Sequence, residues 1–252
     1  ALSKSFFHAL ARSKTLERTA SRIGMARPTS FARRFIAGEN AEEAIEAAKA
    51  IQARGMLLTL DQLGESITTL AEAEAATRVY LALIEKIQAA GIDRNISVKP
   101  TQLGLDIDEA VCADHITRIL DLARQHDFFV RIDMENTPYI QKTLDMFTSV
   151  WSQGYRNTGV VLQSAVFRSA EDAKAVSKLG ARVRLVKGAY KEPAALAHQA
   201  KADVDRAFVG IMKGLLTEGT YPAIATHDPA MIAATKAFAA GQGIPKDAYE
   251  FQ

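Results

Sequence analysis

Two cations, a glycine and an aromatic residue follow one another where an apolar stretch of this sequence ends. The stretch starts at Arg182, is predicted to form a β-strand, and runs into Arg184-Leu185-Val186-Lys187-Gly188-Ala189-Tyr190. Cations buried beside a strand end cost free energy unless an anion or an electron-rich ligand offsets their charge. Glycine allows such a ligand to approach the backbone closely. The run therefore predicts a binding site, and the alternative is a surface strand with two solvated cations.

Several apolar stretches of the sequence, including this one, end in polar residues. They are Asp61, Lys99, Asp133, Glu135, Gln163, Arg184, Lys187, Tyr190, Thr226 and His227. In a barrel of alternating strands and helices, the active site lies where the strands end, so we expect these residues to converge. Lys99 and Asp133 have opposite charge and end neighbouring strands, which predicts an ion pair. Asp61 is expected to hydrogen-bond the turn at Gly64, and Asp228 to cap the next helix.

The elements that must position these residues alternate between short apolar strands and helices, which is typical of a parallel sheet. We predict strands at Met56–Leu60, Ile96–Lys99, Phe128–Asp133, Gly159–Gln163, Val183–Lys187, Ala223–Thr226 and Tyr249–Gln252. We predict helix starts at Thr137-Pro138, at Ser169 with Asp172 in the first turn, and at Asp228-Pro229. An earlier amphipathic helix is predicted over residues 42–53.

The regular spacing of the strands favours a barrel over a dinucleotide-binding sheet, because Gly-x-Gly-x-x-Gly appears nowhere in the sequence. We therefore predict the α/β class, with a (β/α)8 TIM-type barrel over residues 55–252. A short helical N-terminal arm is predicted over residues 1–54. A barrel of this class has eight strands, and we expect the eighth unit to be absent from this chain.

Length, charge and cysteine content exclude several classes of protein. The 252 residues suffice for one large barrel, and a formal net charge of +2 gives no indication of nucleic-acid binding. The lone Cys112 excludes an internal disulfide and the usual thiolate zinc sites, and it indicates a reducing, intracellular setting. No apolar run approaches the ~20 residues that span a bilayer, so an integral membrane protein is not expected.

The start of the chain is strongly basic. Before Glu39 it contains Lys4, Arg12, Lys14, Arg18, Arg22, Arg27, Arg33 and Arg34 against the single acid Glu17. Such a composition suits a solvated helical arm, and also a transit peptide or a helix that lies on a membrane surface. A docking role for this arm would be excluded if deletion of Ala1 to Gly38 left binding to lipid vesicles unchanged.

The residue types leave two kinds of chemistry open. A metal site is not expected, because His227 has no second histidine at a known ligand spacing. A nucleophilic triad lacks its Gly-x-Ser-x-Gly elbow. Two cations suit an anionic substrate or a flavin, since positive charge near N1 and N5 favours hydride acceptance. A Schiff-base aldolase would equally place a lysine, Lys99 or Lys187, at a strand end.

Six strand-end motifs together resemble one known family. They are Leu60-Asp61-Gln62-Leu63-Gly64-Glu65, Ser97-Val98-Lys99-Pro100-Thr101, Arg131-Ile132-Asp133-Met134-Glu135, Val161-Leu162-Gln163, the run from Arg184 to Tyr190, and Ala225-Thr226-His227. Their order is similar to that of the proline dehydrogenase family, and the short arm resembles its single-function bacterial members. The resemblance implies a flavin-dependent barrel that oxidises L-proline to 1-pyrroline-5-carboxylate by hydride transfer to N5 of FAD. It also implies a membrane quinone as electron acceptor.

The resemblance also implies a role for each matching residue. Asp133 and Arg184 are expected to be catalytic, with Arg184 against the flavin N5 region. Lys99 would bind the proline carboxylate with Asp133 beside it, and Leu185 and Tyr190 would line the proline ring. The expected FAD contacts are Met134, Gln163, Arg184, Lys187, Gly188, Ala189, Thr226 and His227.

Three further expectations complete the interpretation. The family implies a cytoplasmic enzyme with peripheral contact at the inner membrane and no nucleic-acid partner. It also places further partners of the proline carboxylate on an eighth unit, so an inactive barrel fragment is a third interpretation. Strand alternation puts Arg184 and Val186 on one side of the strand, and Leu185 and Lys187 on the other. Both cations reach the flavin only if Lys187 lies past the strand.

Overall fold

The structure is a computed structural model that describes residues 36–64 and 67–252. This part of the chain forms two compact units. The first contains residues 36–58 and 89–93, and the second contains Thr59–Gln88 and Arg94–Gln252. The basic arm lies almost entirely outside the described residues, and the boundary predicted between residues 54 and 55 stays a prediction.

The first unit is built around helix α1 (Ala41–Gln52). Its N-cap, Asn40, accepts a hydrogen bond from the amide of Glu43 at 2.9 Å, which satisfies one of the free amides of the first turn. At the other end, the side chain of Gln52 accepts a hydrogen bond from the amide of Asp93 at 2.9 Å. The helix predicted over residues 42–53 is confirmed, displaced by one residue.

Strands and helices alternate through the second unit. The strands are β1 (Leu60–Asp61), β2 (Asn95–Val98), β3 (Phe129–Ile132), β4 (Thr158–Gln163), β5 (Arg182–Val186), β6 (Ala223–Ile224) and β7 (Glu250–Phe251). The helices are α2 (Leu70–Ala90), α3 (Glu109–Gln125), α4 (Thr137–Ser152), α5 (Ser169–Lys178), α6 (Lys201–Glu218) and α7 (Pro229–Gly241). Within residues 36–64 and 67–252, none of the helices has the length and apolar composition of a membrane span.

All the strands of the described sheet are parallel and lie side by side in chain order, so β1 and β7 are its edges. The α/β class and the existence of all seven predicted strands are confirmed. A dinucleotide-binding sheet reverses its strand order at a switch point, and this sheet shows no such reversal. Because parallel strands share one direction, the residues that follow all seven strands lie at one edge of the sheet.

Five of the predicted strands end later than the observed ones, and in two of them this changes where a lysine lies. Strand β2 ends at Val98, because Pro100 has no amide hydrogen for the ladder and starts a 3₁₀ helix. Lys99 therefore lies between the strand and this helix. Strand β5 ends at Val186, which places Lys187 past the strand. Strand alternation would otherwise put Lys187 on the opposite side from Arg184, so this position past the strand is the one that both cations need to approach the same ligand.

Alternation gives the sheet a polar face and an apolar face. The register pairs Asp61 with Ser97, and Ser97 with Arg131, so these side chains share the polar face. Arg184 extends onto the same face, where its guanidinium reaches Ser97. Gly159 lies opposite Arg131 in the register, and a Cβ there would lie 2.9 Å from the guanidinium of Arg131. The absence of a side chain at this glycine therefore makes room for a buried arginine.

Helix starts after the strands agree with the sequence in part. Asp228 caps α7 and accepts a hydrogen bond from the amide of Ala230 at 3.0 Å, as predicted. Helices α4 and α5 begin at Thr137 and Ser169, as predicted, but the expected N-caps are wrong, because Asn136 and Arg168 occupy the N-cap positions. The hydroxyl of Ser169 instead donates to the carbonyl of Gln163 at 2.7 Å. Since Gln163 ends β4, this bond ties the start of α5 to the strand before it.

Candidate active site at the strand ends

Arg184 is held on the polar face by hydrogen bonds to three strands. Its Nη1 donates to Oδ1 of Asp133 at 3.0 Å, and its Nη2 donates to the hydroxyl of Ser97 at 3.1 Å. Its Nε donates to the side-chain oxygen of Gln252, just past β7. The side chain is 14% exposed. These bonds hold the guanidinium of Arg184 in one orientation, and a small part of the side chain remains exposed to solvent.

Lys99 lies beside this arginine and shares a carboxylate with it. Its Nζ lies 3.8 Å from Oδ2 of Asp133 and 3.5 Å from Oδ2 of Asp61. The predicted pair between Lys99 and Asp133 is confirmed. Asp61 pairs with Lys99, and its expected hydrogen bond to the turn at Gly64 stays a prediction, because Glu65 and Ser66 lie outside the described residues. Asp61 therefore belongs to the site.

Asp133 joins the two cations, with Arg184 on one carboxylate oxygen and Lys99 on the other. Burial raises the pKa of Asp133 above its usual value, whereas the charges of Arg184 and Lys99 oppose that rise. Its backbone is fixed as well, since the amide of Asp133 donates to the carbonyl of Val98 at 2.9 Å. The position of Asp133 thus determines where both cations lie.

A second set of hydrogen bonds connects the ends of β2, β3 and β4. The carboxylate of Glu135 accepts from the amide and the hydroxyl of Thr101, at 3.0 and 2.6 Å. The carbonyl of Glu135 accepts from Nε2 of Gln163 at 2.7 Å. Met134, between Asp133 and Glu135, is 6% exposed. These bonds place Met134 and Gln163, both predicted cofactor contacts, next to the end of β3.

The backbone after β5 passes close to Gln163. Gly188 has a φ of 107°, and a Cβ at this position would lie 2.9 Å from Oε1 of Gln163 and 3.3 Å from the Cβ of Ala165. Glycine alone combines this conformation with so close an approach. Ala189 and Tyr190, the next residues, are exposed. The last three residues of the run from Arg184 to Tyr190 are therefore accessible from solvent at the edge of the sheet where the strands end.

Lys187 has different partners from Arg184. Its Nζ lies 2.5 Å from Oδ1 of Asp205 on α6 and 2.6 Å from Oδ2 of Asp228 at the start of α7. Lys201 bonds the same two carboxylates. Hydrogen bonds from Lys187 and Lys201 hold the pKa of Asp228 well below its usual value. The ammonium of Lys187 thus ties β5 to two helices, and its predicted contact with FAD stays a prediction.

The three remaining predicted residues are Thr226 and His227, which follow β6, and Leu185, which lies inside β5. The amide of Thr226 donates to the carbonyl of Gln252 at 3.1 Å, and its hydroxyl accepts from the amide of Asp228 at 3.0 Å. His227 is exposed. Leu185 alternates with Arg184 along β5 and is fully buried, so its side chain lies on the apolar face. The structure does not bring Leu185 together with Lys99, and its predicted role in lining the proline ring stays a prediction.

Comparison with known proteins places the chain in a family. A family model described as proline dehydrogenase matches residues 44–252. The chain belongs to the proline dehydrogenase family. It is 36% identical over 243 residues to proline dehydrogenase 1 of Bacillus subtilis (strain 168), covering 96% of this chain and 79% of that protein. It is 38% identical over 227 residues to proline dehydrogenase of Deinococcus radiodurans, covering 88% of this chain and 73% of that protein.

A solved structure gives a second match for this member of the proline dehydrogenase family. It is proline utilization A (PutA) from Bdellovibrio bacteriovorus inactivated by N-propargylglycine. The two chains superpose with a TM-score of 0.80 and are 28% identical over 88% of this chain. This chain spans 28% of the length of that PutA chain. The resemblance inferred from the strand-end motifs is confirmed.

Arg131, on the polar face of β3, was not predicted as a site residue. Its side chain is 1% exposed, stacks on Phe129 with 4.7 Å from Cζ to the ring centroid, and donates to the carbonyl of Arg182 at 3.2 Å. Its Nε has no hydrogen-bond partner in the described part of the chain. Burial, together with the charge of Arg184, lowers the pKa of Arg131 to about 9, so it stays cationic at neutral pH. The sequence signal was a cation two residues before Asp133, inside an apolar strand.

Proposed function

We propose that this protein oxidises L-proline to 1-pyrroline-5-carboxylate in proline catabolism, as a flavin-dependent oxidoreductase that acts on a CH–NH bond. The observation that carries the proposal is the constellation of Lys99, Asp133 and Arg184 on the polar face of a proline dehydrogenase-family chain. Relatives that match most of this chain are named proline dehydrogenases. Two fixed cations at one strand-end edge suit a substrate with a carboxylate and a cofactor that becomes anionic on reduction.

On the substrate side, Lys99 is the proposed partner of the proline carboxylate. Its side chain is 20% exposed, and its distances to Asp61 and Asp133 exceed 3.4 Å, which leaves its ammonium protons available to a closer acceptor. Tyr190, which is exposed, is the proposed wall of the ring, and the same role for Leu185 stays a prediction, because its side chain lies on the apolar face. Fixing both the carboxylate and the ring holds the carbon next to nitrogen at near-attack distance. The proposed role of Asp133 is to hold the side chains of Lys99 and Arg184 in position.

On the cofactor side, the residues at the strand ends fit a flavin. The exposed backbone at Gly188 lies beside Gln163, and Arg184 supplies a fixed cation for the N5 region. The residues proposed to hold FAD are Met134, Gln163, Arg184, Lys187, Gly188, Ala189, Thr226 and His227. When bound, FAD supplies the acceptor for the hydride from proline. Asp133 keeps Arg184 oriented toward that position.

The proposal extends to the fold and to the electron acceptor. A (β/α)8 barrel would place one further strand between the edges β7 and β1. A membrane quinone is the proposed acceptor of the electrons, and the basic residues before Glu39 are the proposed region of peripheral contact with the membrane. We propose a location at the cytoplasmic face of the inner membrane, in agreement with the lone, buried Cys112.

The absorbance of the purified protein tests this function. The protein saturated with FAD should show the visible flavin band, and anaerobic L-proline should bleach it. Addition of a soluble quinone should then restore the band. A substitution of Lys99 by methionine, which keeps the length but removes the charge, should raise the proline concentration needed for bleaching by about tenfold. Flavin that binds but never bleaches with proline would indicate the inactive fragment instead.

The Schiff-base alternative is tested separately. An aldolase that used Lys99 or Lys187 would form an imine with a carbonyl substrate, and borohydride would trap this adduct on the lysine. Both ammonium groups lie among carboxylates in the structure, Lys99 beside Asp61 and Lys187 between Asp205 and Asp228. Attack on a carbonyl carbon would require either lysine to leave the carboxylates that hold it. We therefore expect no trapped adduct.

A further inference from the structure

The loop between β5 and α6 carries Gly188, Ala189 and Tyr190, and hydrogen bonds hold the loop on both sides of these three residues. At its start, the carbonyl of Lys187 accepts a hydrogen bond from the amide of Ala165 at 2.9 Å. Two residues beyond Tyr190, the carboxylate of Glu192 bonds Thr137. Hydrogen bonds of Lys187 and Glu192 therefore hold the chain on either side of residues 188–191.

Glu192 is a carboxylate with a relative exposure of 9% that caps helix α4 from outside the helix. Its Oε1 accepts from the amide of Thr137 at 2.9 Å, and its Oε2 accepts from the hydroxyl of Thr137 at 2.6 Å, across 55 residues of sequence. The N-cap residue of the helix, Asn136, makes no side-chain cap bond. The first amides of a helix lack partners within the helix and favour a negative charge nearby. Glu192 thus supplies the cap that Asn136 does not provide.

We propose that Glu192 is a positioning residue for the substrate site. Helix α4 begins just after Asp133 and Met134, so the bond between Glu192 and Thr137 links the ends of β3 and β5. It holds the backbone two residues past Tyr190 close to the start of α4, and Glu192 itself lies beyond the run from Arg184 to Tyr190. The inference rests on the proposed oxidation of proline. If Glu192 loosens, the wall of the proline ring moves while the cations on the polar face keep their own hydrogen bonds.

Four variants of the FAD-loaded, full-length protein test this role. Glu192→Ala removes both bonds, and Thr137→Val removes only the bond from the hydroxyl. Thr137→Ser keeps both bonds and serves as the conservative control. Glu171→Ala removes an exposed carboxylate in the first turn of α5, which pairs with Lys174, and controls for loss of charge near a helix start.

We expect Glu192→Ala to raise KM for proline about tenfold, with kcat changed less than about twofold, because bonds to a charged group of this kind are worth roughly one such factor. Thr137→Val should shift KM in the same direction by less, and the other two variants should match the unmodified protein. Hydrogen exchange of the amides from Gly188 to Lys191 should speed up in Glu192→Ala.

Each other outcome contradicts a specific statement. An unmodified protein that does not oxidise proline contradicts the proposed function, while unchanged exchange in Glu192→Ala contradicts the anchor itself. A lower melting temperature with an unchanged KM would make Glu192 a structural cap only, and the positioning role would be wrong. Where Glu192→Ala does not fold, Thr137→Val against Thr137→Ser decides, because both keep the buried carboxylate.

Discussion

Gly188 shows how a single residue limits what the strand-end edge can accept. Its φ of 107° is unfavourable for any residue with a side chain, and a Cβ would come within 2.9 Å of Oε1 of Gln163. Gly188→Ala should therefore destabilise the protein by about 1–3 kcal/mol and weaken FAD binding. The matched control is Gly210→Ala, inside α6, where nothing lies within 4 Å of the added Cβ. It should stabilise the protein by about 0.5–1 kcal/mol.

Urea denaturation and flavin titration of the two glycine variants measure both effects. If the two substitutions changed stability alike, steric fit at Gly188 would not be the cause. If Gly188→Ala lowered the stability but left flavin affinity unchanged, the glycine would be needed for the backbone conformation and not for binding the cofactor.

Side-chain direction decides which single residues could be predicted. Lys99 and Asp133 were predicted to pair because they end neighbouring strands and have opposite charge, whereas the bond from Arg184 to Asp133 was not predicted. The partners of Lys187 were not predicted, since Asp205 and Asp228 belong to helices whose packing has no signal in the sequence around Lys187. The contribution of Glu192 was missed for the same reason, because its partner lies 55 residues away at a helix start.

At the scale of elements, a carboxylate joins the two helices that precede and follow β2. Glu74 on α2 accepts hydrogen bonds from Arg118 on α3 at 2.7 and 3.1 Å and lies 3.2 Å from Nε2 of His115. The hydrogen bonds from Arg118, with the neighbouring charges, lower the pKa of Glu74 from 4.5 to about 2. Because the folded state has the lower pKa, this pair stabilises the fold above pH 4.5, and that contribution is lost as the pH falls toward about 2.

Glu74→Gln should therefore lower the denaturation midpoint at pH 7, and its difference from the unmodified protein should narrow progressively below pH 4.5. Glu85→Gln, at an exposed position on the same helix, is the control and should change little at either pH. Urea curves at pH 7 and pH 3 make the comparison. A difference that stayed constant between these two pH values would assign the effect to packing and not to charge.

Strand existence and order were predictable, whereas strand ends were not. Seven apolar stretches at regular spacing were enough to predict seven parallel strands, because each had to be followed by a helix that returned the chain. Their ends depend on local chemistry, such as Pro100 after Lys99, and on pairing between neighbours, as for Leu60 and Asp61. Since the candidate site lies at those ends, an error of one residue decides whether a side chain follows the alternation of the strand or lies past it, as Lys187 does.

At the scale of the whole molecule, the proposed FAD contacts come from the ends of β3, β4, β5 and β6. A ligand that binds only the folded arrangement of these strand ends stabilises the protein in proportion to the logarithm of its free concentration. Removal of FAD should therefore lower the melting temperature, and free FAD at about a hundredfold excess over its Kd should restore about 2.7 kcal/mol. Arg184→Met should reduce this gain, since it removes the cation that Asp133, Ser97 and Gln252 hold and that we propose to contact FAD.

Thermal melts over a range of FAD concentrations decide whether the strand ends form one site. The control is Arg78→Met on α2, whose guanidinium is mostly exposed and lies 3.9 Å from Glu74. It should keep the full dependence on FAD. A melting temperature independent of FAD in the unmodified protein would mean that the strand ends do not bind the flavin. A full dependence in Arg184→Met would show that its cation is not needed for affinity, and would leave Arg184 a role in catalysis alone.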